Sequence, residues 1–405
     1  MSKDLLQSLA KSAAGYLPQE EMLEVKRKKC HLFIGIPKET SLQEKRIPLV
    51  PNDVCTLVNN GHQVVIESKA GEKANFTDND FSEAGAQIAM SAQEVYKADI
   101  ILKVEPLSHA EIDYMQHGQT LISAIQLPVQ PKNFLEKMMA KKVTAIAYDY
   151  IKDREGIFPV IRAMSEIAGN TSILIAAEYL SNVNKGQGLM MGGITGVKPT
   201  EVVIIGAGTV AEFATRAALG LGASVKLFSN NIFKLRRLQN DIGQRVYTSN
   251  IQPQELKSAL RTADVVIGAL RSEVGRAPIV VTEEMVEKMK EGSIIVDVSI
   301  DQGGCIETSE VTTHSNPTFT KHGVIHYCVP NIASRVARTA SYALSNVFTP
   351  VIMDMGEQGG VENTMRNIYS VRNGIYLYKG ILTNKYLADT FKLPYKDLDL
   401  LMAAY

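Results

Sequence analysis

The 405-residue sequence has no net charge, because 43 Lys and Arg balance 43 Asp and Glu. A balanced chain has no electrostatic ground for binding nucleic acid or an anionic membrane. No apolar run approaches the roughly 20 residues needed to cross a bilayer, which argues against a transmembrane protein. Cysteine is scarce: Cys30, Cys55, Cys305 and Cys328 are the four present, with no CxxC pair. A disulfide scaffold or a structural zinc site is therefore not expected, and no metal is assigned. The opening MSKDLLQSLAKSAAGYLPQEE carries Asp4 and lacks an uninterrupted apolar core, so it does not read as a signal peptide. Leu5, Leu6, Leu9 and Ala13 make a weak helical stripe instead. A cytoplasmic protein is expected. Repeats of 20–50 residues and low-complexity tracts are absent as well.

What is present is an ordinary globular composition, 45% hydrophobic and 21% charged. At roughly 150 residues per domain the length suggests two or three domains with a sizeable core. Short runs rich in Ile and Val (HLFIGIP, GHQVVIES, ADIILKV, QTLISAIQL, KVTAIAYDYI) alternate with helical patterns such as PNDVCTLVNN and AQEVYKA. A long helical stretch at 162–183 and a glycine-rich loop at 186–199 separate them from a second alternation. That one runs through EVVIIGAG, ASVKLFS, TADVVIGAL, GSIIVDVS and GVIHYCV. Strand and helix in turn predict parallel sheets covered on both faces, an α/β chain with two Rossmann-like, doubly wound domains.

The strongest local motif is Val202-Val203-Ile204-Ile205 followed by Gly206-Ala207-Gly208-Thr209-Val210-Ala211. A buried strand, a GxGxxA turn and an Ala-rich helix are the parts of a dinucleotide site. The first glycine permits the turn and the second lets the backbone approach a pyrophosphate. The small third residue packs helix on strand, and the helix N-terminus supplies partial positive charge. The competing reading is a Rossmann domain that has lost its nucleotide. An acidic residue is expected about 20 positions on, to hold the ribose hydroxyls. Ser229 stands there, with Lys234, Arg236 and Arg237 nearby. NAD is the expected cofactor, and the neutral Ser229 leaves NADP open. The three basic residues also read as an exposed helix face.

Several segments together resemble the alanine dehydrogenase and transhydrogenase α-subunit family. They are Ile34-Gly35-Ile36-Pro37-Lys38-Glu39, Glu44-Lys45-Arg46-Ile47-Pro48, Met164-Ser165-Glu166, Gly192-Gly193-Ile194-Thr195-Gly196, Asp297-Val298-Ser299-Ile300-Asp301-Gln302-Gly303-Gly304-Cys305 and Tyr327-Cys328-Val329-Pro330-Asn331. They match in order from about residue 33 to 350. IDQGGC and YCVPN favour the alanine dehydrogenase branch.

Residues 1–30 read as an N-terminal helical extension with a charged linker, and the resemblance implies a substrate domain (31–160 with 335–405). A dinucleotide-binding domain (161–334) is inserted between the two parts. It implies the reaction of L-alanine, NAD(P)+ and water to pyruvate, ammonia and NAD(P)H, with a small amino acid or 2-oxo acid as substrate. A homo-oligomer, a hexamer, is implied too. By resemblance Arg46 grips the substrate carboxylate, where a planar guanidinium suits a two-point contact. Its alternative is a surface arginine in a loop. Asp301 matches an aspartate at the reacting centre, or else caps the turn before the glycines. Ser165 and Asn331 match cofactor contacts, against a plain helical serine and a turn-shaping asparagine. His314 is read as structural.

Two departures stand out. The family places its catalytic lysine two residues after another lysine, just before Glu-Pro, whereas this chain reads Leu102-Lys103-Val104-Glu105-Pro106. Counting forward, Lys103 is the first lysine; counting back with a gap, it falls near the catalytic one. A slip of one residue turns a side chain to the other face of a strand. Lys103 is the candidate for that role. The family's catalytic histidine is replaced by Gln126, which can orient a carbonyl or amine but not exchange a proton near neutral pH. Lys103 and Asp301 are then expected to share the acid/base work. The alternatives are a cofactor-binding homologue without turnover, acting as sensor or assembly subunit, and a dehydrogenase for another amino acid.

Overall fold

The computed structural model describes residues 29–41, 43–125, 132–153, 155–272 and 275–403. The helical stripe expected in the first residues and Gln126 both lie outside them. Six short strands form the first sheet: β1 (Phe33–Ile36), β2 (Gln63–Glu67), β3 (Gln87–Ala89), β4 (Ile100–Leu102), β5 (Thr120–Ser123) and β6 (Thr144–Ala147). They pair in parallel in the order β3-β2-β1-β4-β5-β6. A second sheet follows, with β7 (Glu201–Ile205), β8 (Ser224–Phe228), β9 (Tyr247–Ser249), β10 (Val265–Gly268), β11 (Ile294–Asp297), β12 (Thr318–Lys321) and β13 (Val324–Tyr327). Its order is β9-β8-β7-β10-β11-β13-β12, parallel except for β12. The chain then returns to the first sheet. β14 (Ile375–Tyr378) pairs antiparallel with β6, and β15 (Ile381–Leu382) pairs with β14.

Both sheets are doubly wound, as the alternation predicts. Their central strands are apolar on consecutive residues because helices cover both faces. In the first sheet Ile34, Leu102, Ile122 and Tyr148 face one helical layer, while Ile101, Leu121 and Ala145 face the other. The sheet direction reverses between β1 and β4 and again between β7 and β10. Ligands bind outside the C-terminal strand ends at such reversals. The arginine loop follows β1, the Lys103 segment follows β4 and the glycine loop follows β7.

The longest helices are α1 (Pro159–Tyr179), α2 (Thr209–Gly220), α3 (Ile232–Ile242) and α4 (Ala337–Glu357). The helix start at Pro159 suits proline, whose missing N–H would lack an intrahelical partner there anyway. α1 and α2 meet so closely that a Cβ on Gly169 would lie 2.5 Å from the carbonyl oxygen of Val210. No described helix is long and apolar enough to cross a membrane.

α4 also fixes the arginine loop that follows β1. Ser334 just ahead of it, and Ser341 and Ser345 within it, accept hydrogen bonds from the backbone N–H groups of Lys45, Ile47 and Val50, at 2.8, 2.9 and 3.1 Å. Each such bond contributes about 1 kcal/mol, and losing Ser341 or Ser345 would take the acceptor from a buried donor.

Candidate active site

Arg46 is nearly buried, 9% exposed. Its Nε donates to Glu44 Oε1 at 2.8 Å and its Nη2 to Glu44 Oε2 at 2.6 Å, while among the described residues Nη1 meets the weak acceptor Sδ of Met164 at 3.2 Å. One edge of the guanidinium is thus locked and the other is left for a stronger acceptor. The Glu44 carboxylate also accepts from the backbone N–H of Lys45, Ser334 Oγ and Asn331 Nδ2. Burial works against its charge, but Arg46 and these donors hold its carboxyl below the ordinary value. Burial likewise opposes the charge on Arg46, and Glu44 more than offsets it.

Asp301 lies in the turn Val298–Gln302 after β11, and its Oδ1 accepts from the backbone N–H of Asn331 at 2.9 Å. It is open to the cleft. The surrounding protein raises its pKa, opposed by the Asn331 N–H and the charge of Arg46. The turn is pinned from beneath by Asp297, which accepts from the N–H groups of Ser299 and Cys305 and from Ser309 Oγ. Asn331 has a left-handed backbone, φ 57°, and joins both sides: its N–H meets Asp301 and its side chain meets Glu44. Arg46, Asp301 and Asn331 are therefore brought together. Ser165 sits half-buried on α1 beside the Met164 that touches Arg46.

Lys103 stands elsewhere. Its backbone N–H continues the ladder to Ile122, and its side chain is buried. There Nζ lies 2.7 Å from Glu39 and 3.1 Å from Glu111, with 1% of the side chain exposed. Burial disfavours its charge, but the two carboxylates raise its pKa above the ordinary lysine value. Glu39 is pushed up to about 7 by burial, against the pull of Lys103. The sequence expectation had Lys103 beside the substrate. The register of β4 instead seals it into a three-residue ion cluster.

Two carboxylates missed by motif reading border the same cleft. Glu105, half-buried in the loop after β4, is hydrogen-bonded to Ser41 and feels Glu44, Lys103 and Arg46. Asp149 follows β6; its Oδ1 is buried without a hydrogen-bond partner among the described residues. Burial pushes its pKa up to about 6, and Arg46 and Arg271 oppose the rise. The only sequence sign of either was an acid just past a strand end.

In the second sheet the chemistry is that of the backbone. Gly206 has φ 136°, and a Cβ there would come within 2.3 Å of the Ala269 carbonyl oxygen. A Cβ on Gly208 would enter open space. Gly208 is also the N-cap of α2 and supplies no side-chain cap, so the first amides, with Thr209 and Val210, face that space. A concave, uncapped helix start of this kind suits a pyrophosphate. Ser229 is turned inward, its Oγ accepting from the Asn231 N–H, and Asn231 caps α3 at the N–H of Lys234. Lys234, Arg236 and Arg237 are exposed. A groove of about 480 Å³ between α3 and β9, lined in part by Leu235, Arg236 and Gln239, is separate from this cleft. Among the described residues no cluster has the makings of a metal site.

Comparison with known proteins agrees with this architecture along most of the chain. Residues 35–168 match the profile of the alanine dehydrogenase/PNT N-terminal domain, and residues 172–385 match that of the C-terminal domain. Alanine dehydrogenase 2 of Staphylococcus aureus is 37% identical over 367 residues, covering 90% of this chain and 98% of the relative. Alanine dehydrogenase of Mycolicibacterium smegmatis is 38% identical over the same length and shares. A solved L-alanine dehydrogenase superposes with a TM-score of 0.84 at 38% identity, over 89% of this chain and 99% of that one. The fold alone extends to a transhydrogenase from Sinorhizobium meliloti, with a TM-score of 0.74 at 23% identity over 87% and 99% of the chains. With both halves of the family matched in order and the second sheet carrying its NAD-binding Rossmann loop, this chain belongs to the alanine dehydrogenase/PNT family.

Proposed function

We propose that this protein oxidises a small L-amino acid, L-alanine first, to the 2-oxo acid and ammonium, with NAD+ as electron acceptor. The observation that carries the reading is the Arg46–Glu44 pair facing Asp301 across the cleft. A locked guanidinium with one free edge is an anchor for an α-carboxylate, and Asp301 stands on the nucleotide side. NAD+ bound along Gly206–Val210 supplies the two-electron oxidant. The chain's own groups do the rest. Arg46 fixes the carboxylate, and Asp301, whose pKa burial raises above the ordinary value, takes and returns protons. Asn331 holds Asp301 and Glu44 in register and borders the cofactor together with Ser165. Gln126 orients the substrate. Lys103 acts through Glu39, whose other oxygen accepts from the Val104 N–H at 2.7 Å and so positions the loop after β4.

In this reading residues 31–160 with 335–405 bind substrate and residues 161–334 bind cofactor. NADP+ is accepted beside NAD+, because Ser229 brings no negative charge and Lys234 and Arg236 are exposed nearby. The protein assembles as a homo-oligomer, supported by the exposed Met190, Ile194 and Val197 on one loop. The decisive assay mixes purified protein and L-alanine with NAD+ or NADP+ at alkaline pH and follows reduced-nicotinamide absorbance. Turnover supports the dehydrogenase. Cofactor binding without turnover for any small amino acid would leave a nucleotide-binding homologue instead, a reading favoured by the sealing of Lys103.

A further inference from the structure

NADP differs from NAD by one phosphate on the adenosine ribose. Recognition of that 2′-phosphate needs space beside the ribose, an unpaired cation and no acidic residue in the way. In a doubly wound nucleotide domain the ribose lies past the end of the second strand. Here that strand is β8, and Ser229 and Asn230 follow it. Ser229 Oγ accepts from the Asn231 N–H at 3.2 Å, so a neutral hydroxyl holds its own turn where a carboxylate would otherwise meet the ribose. The Ser229 N–H donates to the Ser249 carbonyl at 3.0 Å, and Asn230 Oδ1 accepts from the Ile251 N–H at 2.9 Å. The ribose end of the nucleotide site is thereby tied to the end of β9.

Outside the catalytic cleft, the groove of about 480 Å³ between α3 and β9 starts at this same turn. Ser249 and Asn250 form one wall, and Ile232, which directly follows Asn231, begins the other. Arg236 lines the groove one turn further along α3. Helical side chains lean toward the helix N-terminus, which carries Arg236 back toward the turn. Its neighbour Arg237 faces Asp241 at 3.8 Å, whereas Arg236 has no ion pair among the described residues. No described Asp or Glu lines the groove, and Thr248 and Gln239 add neutral polar groups. A cavity of this size, with a free guanidinium and no competing carboxylate, suits a phosphate.

We propose that this groove seats the 2′-phosphate of NADP and that Arg236 grips it, so that 2′-phosphorylated dinucleotides bind more tightly than NAD. The inference rests on the dinucleotide reading above and deepens it, from tolerance of the extra phosphate to its recognition. A guanidinium offers a phosphate two parallel N–H bonds, where a lysine offers a point charge. Of the two exposed cations nearest Ser229 in sequence, Lys234 and Arg236, only Arg236 borders the groove, and it carries the contact.

The test is calorimetry on the full-length protein with two probes that differ only in the phosphate concerned, 5′-AMP and adenosine 2′,5′-bisphosphate. The wild type should bind the bisphosphate about tenfold or more tightly than 5′-AMP, the weight of a charged hydrogen bond. R236Q keeps a polar side chain and removes the charge. It should bring the two probes within about twofold of each other while leaving the affinity for 5′-AMP unchanged. R237Q, whose charge is turned to Asp241, should keep the full advantage of the bisphosphate. Equal binding of the two probes by the wild type overturns the proposal. So does an advantage that survives R236Q, a parallel loss of both probes in R236Q, or an advantage lost equally in R237Q. Binding is read without turnover, so these outcomes hold whichever amino acid is oxidised. If neither probe binds the wild type, the dinucleotide reading itself fails and the proposal falls with it.

Discussion

The two sheets share a strand order and a reversal point, yet their C-terminal rims are built from different material. The first rim is made of charged side chains: Glu39, Glu44 and Arg46 after β1, Lys103 and Glu105 after β4, and Asp149 after β6. The second is made of backbone, with Gly206, Gly208 and the uncapped start of α2. One topology therefore supports two kinds of recognition. A small zwitterion offers few contacts and needs strong point charges, which must be paired where they are buried. A dinucleotide is long and anionic, and is served by a row of N–H groups on a chain bare enough to come close.

The hardest blow to the first rim is Arg46→Ala. It strips the partner from a fully buried Glu44, which costs about 3–5 kcal/mol. Chemical denaturation should show that loss, kcat/KM should fall to background, and NADH affinity should survive. Stability lost without any loss of activity would remove Arg46 from the site. Lys103→Met tests the sealed cluster by leaving Glu39 and Glu111 without their cation. A loss of about 3 kcal/mol is expected at alkaline pH, shrinking as pH falls toward 7, because Glu39 without the cation that lowers its pKa takes a proton first in the variant.

For the second rim, Gly206→Ala forces a Cβ toward the Ala269 carbonyl at a positive φ. About 1–3 kcal/mol of strain should appear mainly as weaker NADH binding, read by fluorescence titration. Asp149→Asn is a pH test of the first rim. Asp149 has its folded pKa raised to about 6, so in the wild type the stability it contributes is complete below its unfolded pKa near 4 and is lost as pH rises through 6. Urea titrations should therefore show the variant gaining on the wild type by about 1–2 kcal/mol between pH 4 and 7. A constant gap would contradict the assignment. The smallest effect is expected from Ser229→Asp, which should shift the NAD-over-NADP ratio of kcat/KM by about tenfold through charge at the ribose.

Periodicity made the sheets readable, because buried parallel strands are apolar on consecutive residues and EVVII or TLIS can be little else. β14 was not readable: IYLY lies far from β6 in sequence and pairs with it only after the whole second sheet has been made. At the site, Arg46, Asp301 and the glycine loop were visible because motifs carry them. Lys103 shows what a motif cannot carry. The sequence put the right residue type near the right place, but the ladder hydrogen bond to Ile122 decides which side of the sheet receives its side chain. Glu105 went unread beside it for the same reason. Gln126 lies outside the described residues, and its role rests on sequence.

The serines of the α4 region bear on how the chain is made. The N–H groups of Lys45, Ile47 and Val50 wait for acceptors 289 to 295 positions further along. A growing chain therefore completes its nucleotide-binding half before these serines can hold the arginine loop. Closing so wide a loop is an entropic cost met late, when most of the protein already exists. On the ribosome, then, the capacity to hold a dinucleotide should be acquired first, and the capacity to seat a substrate only when α4 has emerged.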